Sequence, residues 1–298
     1  MSAAPLELTD VTVRFGGLTA LDSVSLSVPP AAIVGLIGPN GAGKTTLFDS
    51  VAGVVSPASG RVELFGNDVT QWAPHRRARL GVVRTFQRLE LFGSITVLEN
   101  LVMAAESRAG GGGLLTDLLA LPPTVEGRAR AEERAREMLD ALAIREYEHS
   151  LAADLPLGVS RLVELGRALC TEPKLLLLDE PSSGLRVDES RRLAATLRQL
   201  RDDDGMSILV VEHDMSFVLG LCERVTVLDF GRVLAEGPTD EIRANPQVQA
   251  AYLGDELDAP VPIPRKAGPK KKATAKKKAA AKKKAPAKKV TRARATRG

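Results

Sequence analysis

The chain has 298 residues, enough for one large domain or two small ones with a filled core, and its 44% apolar and 26% charged content is that of an ordinary globular protein. No run of about 18 apolar residues appears, so no membrane-spanning helix is expected, and the opening MSAAPLELTD lacks the basic and apolar runs of a secretory signal. The net charge of +4 hides two unlike segments: residues 265–298 carry 12 Lys and 4 Arg with no acid, leaving 25 bases against 37 acids in the other 264 residues.

Along the chain, strands are expected at LELTDVTV (6–13), SVSLSV (23–28), AIVGLIG (32–38) and RVELF (61–65). After a gap come KLLLLDE (174–180), SILVVEH (207–213), RVTVLD (224–229) and RVLAEG (232–237). The runs LLLLD and ILVV are apolar at every position, as central strands covered on both faces are. Amphipathic helices such as DESRRLAATLRQLRD (188–202) lie between them, so the fold class is α/β.

Residues 88–170 differ. They hold no convincing strand, a GGGG break at 110–113, and a charged helix, EGRARAEERAREMLDALA (126–143), with Ala135, Met138, Leu139 and Leu142 at helical spacing. This stretch reads as a helical subdomain inserted into the α/β body. Past Leu253 the chain becomes a proline-rich linker and then a Lys/Ala tail with lysine triplets at 270, 276 and 282. Dense like charge without bulky apolar residues predicts disorder there. The expected organisation is an α/β core (1–87 and 171–254), a helical insert (88–170), a linker (255–269) and a basic tail (270–298). Cys170 and Cys222 fit no metal spacing and are expected to be reduced structural thiols of a cytosolic protein.

The chemistry begins at GPNGAGKT (38–45), which matches G-x-x-x-x-G-K-[ST] between a buried strand and the helix TTLFDSVAG. Glycines let such a loop wrap phosphate with backbone N–H groups, and the helix N-terminus adds positive potential. Lys44 is expected to reach the β- and γ-phosphates, and Thr45 to offer a hydroxyl to Mg²⁺. LLLLDE (175–180) delivers Asp179 and Glu180 from the end of a buried strand, where α/β proteins bind ligands. Asp179 suits a magnesium site, and Glu180 can polarise an attacking water. His213, in VVEHD, ends another such strand and is open to a structural or a functional reading.

Together these segments resemble the ATP-binding subunit of ABC transporters over roughly residues 6–254. GPNGAGKTT looks like the Walker A motif, so Gly38, Pro39, Asn40, Gly41, Ala42, Gly43, Lys44, Thr45 and Thr46 are its nucleotide-binding residues. LLLLDE looks like Walker B, VEHD like the switch-histidine segment, RTFQ (84–87) like the Q-loop and SSGL (182–185) like the D-loop, although Arg186 stands where Asp or Asn is usual. Phe15, in VTVRFGG, sits where the family places an aromatic against adenine; burial in the core is its other reading. RTFQRLELFGSITVLENL, VEHDMSFVLGLCERVTVLDFGRVLAEG and NPQVQAAYLG are similar to one branch, the ATPases of branched-chain amino acid importers.

The resemblance implies a P-loop NTPase core with an N-terminal antiparallel β subdomain and an inserted helical subdomain. It implies ATP hydrolysis with Mg²⁺ held by Thr45, Gln87 and Asp179, Glu180 activating water, His213 sensing the γ-phosphate, and Gln87 linking the site to membrane subunits. The implied partners are two permease subunits, a second ATP-binding subunit (the same or a related chain) and, indirectly, an extracytoplasmic binding protein, with this chain on the cytoplasmic face. Leu91 and Phe92 then lie near the groove that grips a permease, or else pack inside the helical insert.

At the place of the family's LSGGQ signature, this chain has LPLGVSR (155–161), of which only Leu155 and Gly158 match. Backbone contact through Gly158, with Ser160 as a substitute donor, is one reading; a degenerate turn that no longer meets ATP is the other. An exporter ATPase shares all this chemistry. A non-transport ABC ATPase on nucleic acid is invited by the tail, whose lysines suit anionic lipid or nucleic acid, or serve no essential role.

Overall fold

The computed structural model describes residues 3–85, 90–109 and 125–252; Gln87, the GGGG break, the linker and the basic tail lie outside the described residues. In chain order, β1 (Leu6–Phe15), β2 (Leu18–Val28) and β3 (Ile33–Ile37) lead into α1 (Lys44–Ala52). Then come β4 (Ser59–Leu64), β5 (Asn67–Asp68), α2 (Pro74–Ala78) and β6 (Val82–Arg84). Three helices follow, α3 (Val97–Ala109), α4 (Val125–Ala141) and α5 (Leu157–Cys170). The remainder alternates: β7 (Leu175–Asp179), α6 (Val187–Asp204), β8 (Ser207–Val211), α7 (Met215–Leu221), β9 (Arg224–Asp229), β10 (Arg232–Pro238), α8 (Thr239–Ala244) and α9 (Pro246–Tyr252).

Two sheets result. The antiparallel one has the order β2-β1-β4-β5, and the other runs β10-β9-β3-β8-β7-β6. In the second sheet β9, β3, β8, β7 and β6 are mutually parallel and β10 alone is antiparallel, joined to β9 by a tight turn at Phe230 and Gly231. Both turn residues have positive φ, 43° and 77°, the backbone that a two-residue hairpin requires.

The all-apolar strands are explained by what covers each face, since successive side chains alternate across a strand. Val34, Leu36, Leu175, Leu177, Leu209 and Val211 pack with the antiparallel sheet and with Leu47, Phe48 and Val51 of α1. Their neighbours Ile33, Ile37, Leu176, Leu178, Ile208 and Val210 pack on the other side with α3 to α7. The expected stripe of α4 is buried, with Ala135 and Leu139 at 0% exposure and Met138 and Leu142 at 3% and 6%. Thr96 caps α3 through a reciprocal pair with Glu99, each side chain accepting the other's backbone N–H at 3.2 and 2.7 Å.

Two strands escaped the sequence reading. Asn67–Asp68 is polar and two residues long, and Val82–Arg84 is a three-residue edge strand pairing with β7. LPLGVSR also differs from the turn expected of it. Pro156 is the N-cap of α5 and Gly158 lies in its first helical turn; proline's fixed φ suits a helix start, and the buried face of the helix begins at Ser160, behind an exposed Leu157. Cys170 and Cys222 are free and buried, and burial pushes each thiol up to about 12.

Candidate active site

Because β3, β7 and β8 are parallel neighbours, their C-terminal ends meet along one edge of the sheet. The first delivers the phosphate loop, the second Asp179 and Glu180, and the third Glu212 and His213. The loop folds as its glycines dictate. Gly43 has φ 103°, and a Cβ there would stand 2.8 Å from the Ala20 carbonyl, so only glycine both adopts the backbone and fits the space. Ala42 accepts a hydrogen bond from the Gly231 N–H at 3.0 Å, which ties the β9–β10 turn to the loop. No side chain caps the start of α1, which leaves the N–H groups of its first turn without a side-chain partner, and Thr45 is exposed beside them.

Lys44 is half-buried, and its Nζ donates to the carbonyls of Gly38 at 2.6 Å and Pro39 at 3.0 Å. Burial lowers its pKa, while the carboxylates of Glu180 and Asp179 act in the opposite direction. The lysine and the two carboxylates therefore share one electrostatic site. Asp179 is 3% exposed, its N–H donates to Thr85 Oγ1 at 3.3 Å, and its Oδ2 accepts from Arg84 at 3.3 Å. Arg84 also donates to Asp49 of α1 at 2.5 Å. One buried guanidinium thus links the phosphate-loop helix to the strand-end carboxylate, and the short, partly polar β6 gave no sequence signal for it beyond a basic residue beside two valines.

Glu180 stands at φ 49°, a left-handed backbone that costs a non-glycine residue on the order of 1–3 kcal/mol. Its N–H donates to the Val211 carbonyl at 2.9 Å, and its Oε1 lies 3.6 Å from His213 Nδ1. Asp214 caps α7 by accepting from the N–H groups of Ser216 and Phe217 at 2.8 and 3.2 Å, which fixes where His213 leaves the strand. Phe15 is 50% exposed at the end of β1, so it does not pack into the core. Gln87 lies outside the described residues.

The start of α5 is built differently. Its N-terminus has no side-chain cap; Ser160 is 5% exposed, and its hydroxyl donates back to the Pro156 carbonyl at 3.2 Å. A Cβ on Gly158 would lie 3.2 Å from both the Gly184 carbonyl and Leu185, so close packing against the 182–185 turn of the same chain already favours glycine there. Leu91 and Phe92 separate: Leu91 packs against the helical core, whereas Phe92 is 48% exposed under the Arg167 guanidinium, 5.1 Å from its ring centre. A groove of about 390 Å³ runs there between Val83, Phe92, Met103 and Arg167. A larger cavity, about 600 Å³, lies at the opposite strand ends beside Pro30 and Lys174 and holds none of the phosphate chemistry.

As to Mg²⁺, no cluster of three or more His, Cys, Asp or Glu suited to a metal occurs among the described residues. One hydroxyl (Thr45) and one buried carboxylate (Asp179) fit that ion nonetheless, since magnesium commonly takes one or two carboxylates and fills its octahedron with water and substrate phosphates.

A phosphate loop after β3, a carboxylate pair at the end of β7, one strand removed across β8, and a histidine beside the second carboxylate define a P-loop ATPase. Residues 21–183 match the family described as ABC transporter, and residues 232–258 match the one described as branched-chain amino acid ATP-binding cassette transporter. The chain belongs to the ATP-binding subunits of ABC transporters, which hydrolyse ATP. It is 39% identical over 255 residues to the high-affinity branched-chain amino acid transport ATP-binding protein LivG of Escherichia coli K12, covering 86% of this chain and 100% of LivG. BraF of Pseudomonas aeruginosa, of the same description, is 38% identical over 255 residues, with 86% and 100% covered. The crystal structure of the ADP conformation of MJ1267, an ATP-binding cassette of an ABC transporter, superposes with a TM-score of 0.73 at 31% identity, covering 85% of this chain and 100% of that one. No helix of the described residues is long and apolar enough to cross a membrane.

Proposed function

We propose that this chain is the ATP-hydrolysing subunit of an importer for branched-chain or similar hydrophobic amino acids, working on the cytoplasmic face with two permease subunits, a second ATP-binding subunit and an extracytoplasmic binding protein. The observation that carries the reading is the convergence of Lys44, Asp179, Glu180 and His213 at one edge of the sheet, joined to the match of residues 232–258 to the branched-chain amino acid ATP-binding cassette transporter family. That match favours an amino acid transporter over an ATPase acting on nucleic acid. The domain division expected from the sequence goes with it: a core of 1–87 and 171–254, and a helical insert of 88–170 carrying the signature segment.

In this reading the phosphate-loop N–H groups and Lys44 hold the β- and γ-phosphates, and Phe15 offers its exposed ring to the adenine. Glu180 accepts a proton from water as the water oxygen attacks the γ-phosphorus; the bond to the β–γ bridging oxygen breaks, its electrons stay with ADP, and inorganic phosphate leaves. His213, at 3.6 Å from Glu180, holds the γ-phosphate end of the site. Mg²⁺, when bound by Thr45, Asp179 and Gln87, supplies neutralising charge for the phosphate oxygens. The start of α5 faces the nucleotide of the second subunit with backbone N–H groups, Gly158 allowing close approach. The groove beside Phe92 receives a permease segment, and Gln87 relays occupancy to it.

The basic tail is assigned to the anionic cytoplasmic leaflet, to which lysines near the surface are drawn by about 1 kcal/mol each. Co-sedimentation of the full chain and a chain lacking 265–298 with phosphatidylserine vesicles tests this, and preferential binding of the tail to nucleic acid overturns it. The main reading is tested by co-purification and reconstitution. Two permease subunits are expected to copurify, and a branched-chain amino acid with its binding protein to stimulate ATP turnover; stimulation by nucleic acid alone would contradict it.

A further inference from the structure

Glu212 lies between β8 and His213 and is 0% exposed, a charged side chain sealed in an otherwise apolar strand end. A carboxylate taken out of water needs hydrogen-bond donors to be tolerated. Its two oxygens find them on two different segments. Oε1 accepts the Ser182 N–H at 2.8 Å, and Oε2 accepts the His213 N–H at 3.2 Å. One residue earlier, the Val211 carbonyl accepts the Glu180 N–H at 2.9 Å. Residues 211–212 therefore grip the turn that carries Glu180 at both ends, while the same carboxylate anchors His213. That turn needs the grip, because Glu180 occupies a left-handed backbone that its own side chain disfavours.

We propose that Glu212 is a positioning residue for hydrolysis: its carboxylate holds the Glu180 turn and the His213 segment in one fixed relation, without touching nucleotide. The proposal rests on Glu180 being the group that accepts the proton from water. Glutamine is a poor replacement, because it offers one acceptor oxygen and turns an NH₂ toward the second N–H. Alanine offers neither acceptor.

The test uses the full-length chain, measuring turnover, KM and ATP affinity for Glu212→Gln, Glu212→Ala and each of these combined with Glu180→Gln. A small misplacement of a reacting group can cost about a hundredfold in rate, so kcat is expected to fall by roughly tenfold for Gln and by up to roughly a hundredfold for Ala. ATP affinity is expected to stay within about twofold, because the phosphate loop is untouched. On the Glu180→Gln background, adding either substitution should cost much less than on the parent chain, since the part of its effect that acts through Glu180 has nothing further to lose. Wild-type kcat in Glu212→Gln overturns the proposal, as does a rate loss that multiplies with Glu180→Gln. A parallel loss of ATP affinity marks Glu212 as merely structural and overturns it too. If Glu212→Ala does not fold, the Gln variant carries the same comparison. Retained turnover in Glu180→Gln alone would instead sink the assignment of Glu180, so the two failures are told apart.

Discussion

The strand-end edge around Lys44 and the start of α5 are both places where backbone N–H groups are free to meet an anion, yet they are made of different material. At the strand ends, side chains dominate: Lys44, Asp179, Glu180, Glu212 and His213 converge, with Arg84 tying Asp179 to α1. At α5 the polar side chain nearest the end, Ser160, is turned into its own helix, and Gly158 is packed against Gly184 and Leu185. On the proposed reading, the difference teaches that one half of the ATP site is written in residue types and the other in chain geometry. Substitutions should therefore hurt the two regions very unequally.

The largest effect is expected from Glu180→Gln, which removes the proposed proton acceptor but keeps shape. Turnover should drop by roughly 10²–10⁴-fold while ATP still binds, as read by steady-state hydrolysis and by nucleotide titration. Next is Lys44→Ala. Loss of a charge-assisted hydrogen-bond donor, commonly about 1.5–3 kcal/mol, should weaken ATP affinity roughly ten- to a hundredfold, and unchanged affinity would remove Lys44 from the phosphate site. Gly158→Ala is expected to be milder. Its Cβ must push on Gly184 and Leu185, whereas alanine favours the helix by about 0.8–1 kcal/mol, so thermal stability should hardly move while turnover falls several-fold. Smallest is Ser160→Ala, for which turnover should stay within about twofold because its hydroxyl serves the Pro156 carbonyl. A loss there as large as that for Lys44 would break the contrast between the regions.

Much of this fold was legible in the residues. LLLLD and ILVV announce strands covered on both faces, and the cores on the two sides of β3, β7 and β8 account for every apolar position in them. The four-residue stripe of α4 was equally plain. β5 and β6 were not, because two or three residues at a sheet edge carry no period to read. In the site, the phosphate loop and the D–E pair have fixed local spacing and could be read directly. Arg84 and Glu212 could not: each stands at an apolar strand with no local pattern that names its partner, which lies 95 residues away for Arg84 and 30 for Glu212. LPLGVSR looked like a bare turn because the helix signal begins behind proline, and only the three-dimensional neighbourhood shows what its glycine touches.

The most direct test of the contrast is the turnover number of Glu180→Gln against that of Ser160→Ala, measured under one set of conditions with bound ATP quantified in the same samples. The account predicts that the first binds ATP yet is slowed by roughly 10²-fold or more, while the second stays within about twofold of the parent chain. Comparable losses in the two variants, or sustained hydrolysis by Glu180→Gln, would contradict it.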